Sequence, residues 1–148
     1  MAVKLKPGLM VALDTSPLIY LIEQHADYSE PVRLFLDACM DKGVDLGTSI
    51  ITYIEVLTHP GRLGRRELAA RYRNFLTNSE RLTIYPLTIQ VADACIRLRA
   101  KYGFRTPDAI QLAVAITCGA SLFLTNDSNL KRCEDIDVML VSEISEAL

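Results

Sequence analysis

The chain is short of the side chains and spacings that most catalytic sites require. Its two histidines, His25 and His59, have no metal-ligand spacing to each other or to any cysteine, which disfavours zinc. The four cysteines, Cys39, Cys95, Cys118 and Cys133, lie far apart and form no C-x-x-C pair. They read as reduced packing residues of a cytosolic protein rather than as disulfides. No G-x-x-x-x-G-K-S/T loop and no G-x-G-x-x-G turn is present, so nucleoside-triphosphate and dinucleotide readings lose their main support. Nor is there a nucleophile elbow for Ser-His-Asp hydrolysis. Charge of one sign is lacking too: 16 Lys and Arg stand against 18 Asp and Glu, a net −2. Nucleic-acid-binding domains are usually strongly basic, although a local basic patch can coexist with an acidic pocket. The longest apolar stretch, around Ala109–Leu124, is broken by Gly119 and too short for a membrane span. The start, MAVKLKPGLMVAL, has too short an apolar region for a signal peptide. With no repeat, low-complexity tract or linker, residues 1–148 are expected to form one domain of ordinary globular composition.

What the chain does have is a sequence of apolar elements, each followed by or interrupted by an acid. In Arg105–Leu130, Thr106 is the expected N-cap and Pro107 suits the first helical position. Ala109–Cys118 is apolar except for Gln111 and Thr117, Gly119 supplies a left-handed stop, and Ser121–Thr125 reads as a buried parallel strand. Leu9–Leu13 is a similar strand ending at Asp14-Thr15-Ser16-Pro17, with a brief helix over Leu18–Glu23 to follow. A helix from about Ser29 buries Val32, Phe35, Leu36 and Cys39, and Gly43 ends it. Val44–Thr48 is a second strand, weakened by Gly47. Ser49 caps a helix to about Thr58, stopped by His59-Pro60-Gly61, on which Thr52 and Glu55 share the one polar face. Gly64–Asn78 is amphipathic, with Leu68, Tyr72, Phe75 and Leu76 inward. Arg81–Tyr85 is a third strand, Thr88–Tyr102 a helix closed by Gly103, and Asp137–Val141 a fifth strand. Alternating strands and helices mean an α/β fold with a mostly parallel sheet covered on both faces.

In such sheets function collects outside the carboxyl ends of the strands, where the winding reverses. Asp14 and Asp127 follow strands directly and fall on that edge. Singly, each acid has an ordinary explanation: a helix cap at Asp14, a dipole partner at Asp108, a turn at Asp127, a solvated position at Glu55. Together they are four carboxylates emerging from otherwise apolar elements, and a divalent cation is the usual resolution of their repulsion. Oxygen-only ligands suit Mg²⁺ or Mn²⁺, which most often serve phosphate chemistry.

The segments LDTSPLIYL, TYIEVL, TPDAIQLAVA and LFLTND, in this order and spanning nearly the whole chain, resemble the PIN-domain nucleases. The likeness is nearest to the VapC-type ribonuclease toxins of bacterial and archaeal toxin–antitoxin pairs. The resemblance implies a three-layer α/β/α fold with a five-stranded, mostly parallel sheet, Mg²⁺ or Mn²⁺ dependence and endonucleolytic cleavage of RNA. It also implies a homodimer and a cognate antitoxin. Asp14, Glu55, Asp108 and Asp127 would be the catalytic acids and metal ligands. Thr125 and Asn126 would give polar support, with Thr15 or Ser16 beside Asp14. Many relatives carry a further acid two residues beyond Asp127, where this chain has Asn129; one metal ion or two is left open.

Arg62, Arg65, Arg66 and Arg73 are the candidates for phosphate contact, against a solvated helix face, and Lys101 and Arg105 lie nearer Asp108 in sequence. The rival reading is a PIN-type module that binds RNA or a protein without cutting, whose usual mark would be lost acids. A receiver or small phosphatase on a similar sheet would want a D-x-D after the first strand, which is missing.

Overall fold

The computed structural model describes residues 4–147, and its elements follow from short apolar strands separated by capped helices. Five parallel strands form one sheet in the order β3-β2-β1-β4-β5. They are β1 (Met10–Leu13), β2 (Asp45–Ser49), β3 (Leu82–Tyr85), β4 (Leu122–Thr125) and β5 (Asp137–Leu140). The chain starts at the centre, winds outward through β2 and β3, then returns to the other side of β1 for β4 and β5. The reversal falls between β1 and β4, which pair in register Val11 to Leu122 through Leu13 to Leu124.

Strand alternation feeds two cores. Val11, Leu13, Leu122 and Leu124 point to a layer built by α1 (Thr15–Ile22), α2 (Ser29–Asp41) and α4 (Arg66–Asn78). Ala12 and Phe123 point to the opposite layer, α5 (Ile89–Tyr102) and α6 (Thr106–Thr117). The helix α3 (Ile50–Arg62) leans on the first core through Val56. Seven consecutive residues of α6, Ala109–Ala115, are buried, as its near-absent polar face requires. This is the three-layer α/β/α arrangement expected. No helix among the described residues is long and apolar enough to cross a membrane.

Several boundaries differ from the sequence-based expectation. The first helix begins at Thr15, with Asp14 itself as N-cap, accepting the Thr15 N–H at 2.8 Å. Thr106 is already helical, and Arg105 stands at the N-cap without a side-chain cap bond, because the Ala109 N–H closes on the Arg105 carbonyl at 2.9 Å. The helix α3 runs on through Pro60 to Arg62. Proline there forfeits a single intrahelical bond close to the end, and its ring is buried. Ser49, Thr88, Gly103 and Gly119 act as read: two side-chain caps and two left-handed stops.

Candidate active site

The crevice at the carboxyl ends of β1 and β4 is an open groove of about 380 Å³. Asp14 reaches it from the end of β1, where its N–H donates to the Leu124 carbonyl at 2.9 Å and ties it to β4. Asp127 arrives two residues beyond β4, Glu55 from the second turn of α3, and Asp108 from the first turn of α6. All four acids line the groove, with Thr15, Ser16 and Asn126 beside them. Thr125 lies fully buried beneath. Its hydroxyl donates to Asp14 Oδ2 at 2.7 Å and accepts the Asp127 N–H at 3.1 Å, so one side chain aligns two acids. Asp127 Oδ1 accepts the Asn129 N–H at 3.0 Å and caps the 3₁₀ turn Ser128–Arg132. The Asn129 amide oxygen is taken by Arg132 Nε at 2.8 Å, so this residue adds no ligand to the groove.

The acids feel one another. Burial pushes the Asp14 carboxyl up; the Thr125 hydroxyl and Thr15 N–H oppose this, while the charges of Asp108 and Asp127 add to it. Glu55 is also raised, first by desolvation and then by Asp14, with a long 3.5 Å hydrogen bond from the Thr15 hydroxyl opposing.

Behind Glu55 lies a buried polar network that sequence reasoning noticed only as interruptions. Ser49 Oγ accepts the Ile51 and Thr52 N–H groups, so its own proton goes to Gln111 Oε1 at 2.6 Å. That fixes the amide: Gln111 Nε2 faces Thr52 Oγ1 at 2.7 Å and Thr15 Oγ1 at 3.2 Å. Thr15 and Thr52 hydroxyls are 3.0 Å apart. The only polarity that satisfies every member sends Thr52 to Thr15 and Thr15 to Glu55. Among the described residues no buried side-chain nitrogen or oxygen lacks a partner.

The basic residues are placed differently. Arg105 is at the rim, 3.3 Å from Asp108. Lys101 is turned away to Asp135 at 3.4 Å. Arg65 and Arg66 line a separate surface hollow with Arg71, and Arg73 donates to the Tyr53 hydroxyl at 2.6 Å. Arg62, exposed at the end of α3, does not line the acidic groove either. Its remaining wall is Ile19 and Tyr20, whose spacing from Ser16 puts all three on one face of α1. Only that helical spacing, read together with Asp14 at the helix start, could have pointed to Tyr20.

Every polar donor on the groove is oxygen except the Asn126 amide nitrogen, a set that suits a hard divalent cation. Among the described residues no three His, Cys, Asp or Glu side chains already form a group that would hold an ion.

A family model described as the PIN domain matches residues 11–136. Among solved structures, VapBC2 from Rickettsia felis bound to a DNA fragment from its promoter has a TM-score of 0.74 at 19% identity, over 89% of this chain and 98% of that one. DNA-bound VapBC from Salmonella typhimurium gives 0.72 at 20% identity, over 90% and 98%. A toxin–antitoxin complex from Klebsiella pneumoniae gives 0.67 at 21%, over 88% and 97%. At these identities the likeness is one of fold. No curated protein matches the chain in sequence.

Proposed function

Since the chain belongs to the PIN domain family, whose members are nucleases, we propose that it is a divalent-metal-dependent endoribonuclease and the toxin of a toxin–antitoxin pair. The observation that carries the reading is the delivery of Asp14, Glu55, Asp108 and Asp127 from four different elements to one groove at the β1/β4 reversal. Asp14, Asp108, Asp127 and Glu55 would hold Mg²⁺ or Mn²⁺. When bound, such an ion neutralises phosphate charge and makes water a better nucleophile.

The rest falls to the chain itself. The Thr125 hydroxyl and Thr15 N–H aim the Asp14 carboxylate, and the Asn129 N–H fixes Asp127. Glu55 is held by one long hydrogen bond from the Thr15 hydroxyl, so a carboxylate oxygen not offered to the ion would be available to take a proton from the attacking water. The water oxygen forms a bond to phosphorus as the bond from phosphorus to a ribose oxygen breaks, and that leaving oxygen takes up a proton from solvent. Arg105 meets phosphate at the rim; Arg62, Arg65, Arg66 and Arg73 meet the strand farther away.

Purified protein should cut RNA with Mg²⁺ or Mn²⁺ and stop with EDTA, and Asp127→Asn should be inactive. Cleavage that survives exhaustive chelation overturns the metal role. Metal-dependent RNA binding without any cutting would instead support a non-cleaving module. The structures it resembles include toxin–antitoxin complexes, so a small protein encoded beside this one should co-purify with it and silence cleavage.

A further inference from the structure

The helix that Asp14 caps ends in a cluster of rings that the acid chemistry leaves unused. After Ile22 the chain turns back sharply. Gln24 sits at φ 55, a left-handed conformation that side chains with a Cβ rarely adopt. The His25 N–H then returns to the Tyr20 carbonyl at 3.0 Å. The imidazole is pinned in turn: its Nδ1 accepts the Asp27 N–H at 3.1 Å and the Tyr28 N–H at 3.2 Å, leaving Nε2 to carry the proton. Ring centroids lie 4.8 Å apart for Tyr20–His25, 5.0 Å for Tyr20–Tyr28 and 4.9 Å for His25–Tyr28, the last pair stacked at 22°. Tyr20 also lines the acidic groove, and its hydroxyl accepts the Asn126 amide at 3.1 Å, next to Asp127.

The geometry points to a stacking platform: Tyr20, His25 and Tyr28 hold an unpaired nucleobase of the RNA strand whose phosphate occupies the acidic groove. The platform rests on the nuclease reading above and deepens it by naming the surface of this chain that holds the substrate's base. Three features select this occupant. The rings are continuous with the groove through Tyr20, so one strand can reach both. His25 is exposed while its edge is fixed by the backbone, so the ring is ordered before anything binds. The groove's acids give phosphate no direct hold beyond what a bound cation supplies, and base stacking on aromatic rings adds affinity that does not depend on phosphate charge. Only a base outside a duplex offers its face, which makes loops and single strands the substrates.

The test uses the full chain carrying Asp108→Asn to block cleavage, and a short single-stranded RNA with one 2-aminopurine in place of adenine. Binding should quench the fluorophore, and the same strand annealed to its complement should bind much more weakly. His25→Asn keeps an acceptor for the turn but removes the ring, and it should weaken binding about ten-fold and abolish the quench. Tyr28→Ala should do the same and Tyr28→Phe should not. If the parent chain cuts RNA but His25→Asn and Tyr28→Ala bind and quench like the unsubstituted platform, the platform is wrong and the nuclease reading stands. Equal binding of the duplex also overturns the platform. If the parent neither binds nor cuts any RNA, both fail together.

Discussion

Asp14 sits where burial raises its carboxyl pKa and two hydrogen bonds only partly pull it back. A carboxyl that binds its proton more tightly when folded destabilises the fold at high pH. That penalty is absent below the unfolded value of 3.8, and it grows as pH rises toward the raised folded value. Glu55 acts in the same direction from 4.5. Asp135 and Glu143, lowered by the Tyr102 hydroxyl and by Lys131 respectively, act in the opposite one, so the parent profile mixes both. The contribution of Asp14 is isolated by difference: in EDTA, Asp14→Asn should lose part of the parent's relative gain in melting temperature as the pH is lowered from about 7 to the unfolded value of 3.8. Parallel curves would mean that Asp14 titrates alike in both states. Gln111 tests the layer behind the acids. Gln111→Leu strips Ser49, Thr52 and Thr15 of their shared partner and should cost about 2–4 kcal/mol in urea unfolding. It should also shrink the Mg²⁺-induced rise in melting temperature, because Thr15 then loses its fixed orientation toward Glu55. A loss of stability with an undiminished Mg²⁺ response would leave Gln111 as packing alone.

Among the elements, β2 shows what local sequence conceals. Gly47 looks like a weak point in a strand, yet a Cβ there would lie 2.9 Å from the Tyr85 ring and 3.2 Å from the Met10 sulfur. Those neighbours come from the strands on either side, and no local pattern announces them. Gly47→Ala should therefore destabilise by about 1–3 kcal/mol, since the ring and thioether must give way in a packed sheet. A neutral result in denaturant unfolding would show that Tyr85 rotates freely. Boundaries fail for the same reason. Pro60 reads as a stop, but tertiary burial of its ring carries α3 two residues farther. The strands, the caps at Ser49 and Thr88 and the glycine stops at Gly103 and Gly119 were legible because each is decided by side chains within a few residues.

Across the whole molecule, the acids were legible because each interrupts an apolar run, whereas Tyr20 and the direction of the arginines depend on how helices turn once packed. Periodicity gave α4 a cationic face without saying that Arg73 would settle on Tyr53, away from the groove. The surface leaves one further consequence. The helix α5 packs inward through Val91, Ala94, Cys95 and Leu98, while Ile89 and Ile96 remain 79% and 65% exposed. Seven residues apart, they share a face, and Leu87 just before the helix is exposed as well. A two-fold partner would lay the same stripe against itself, covering both copies at once, which is how most homo-oligomers close. Each isoleucine withdrawn from water contributes at about 25 cal/mol per Å² of apolar area, and a glutamate in its place would oppose its own symmetry mate. The chain should sediment as a dimer at concentrations on the order of 10 µM, corresponding to association of roughly −7 kcal/mol or stronger. Ile89→Glu with Ile96→Glu should sediment as a monomer with an unchanged far-ultraviolet circular dichroism spectrum, because neither side chain enters the core. A parent that stays monomeric over that range, or a doubly substituted chain that still dimerises, would rule out α5 as the seam.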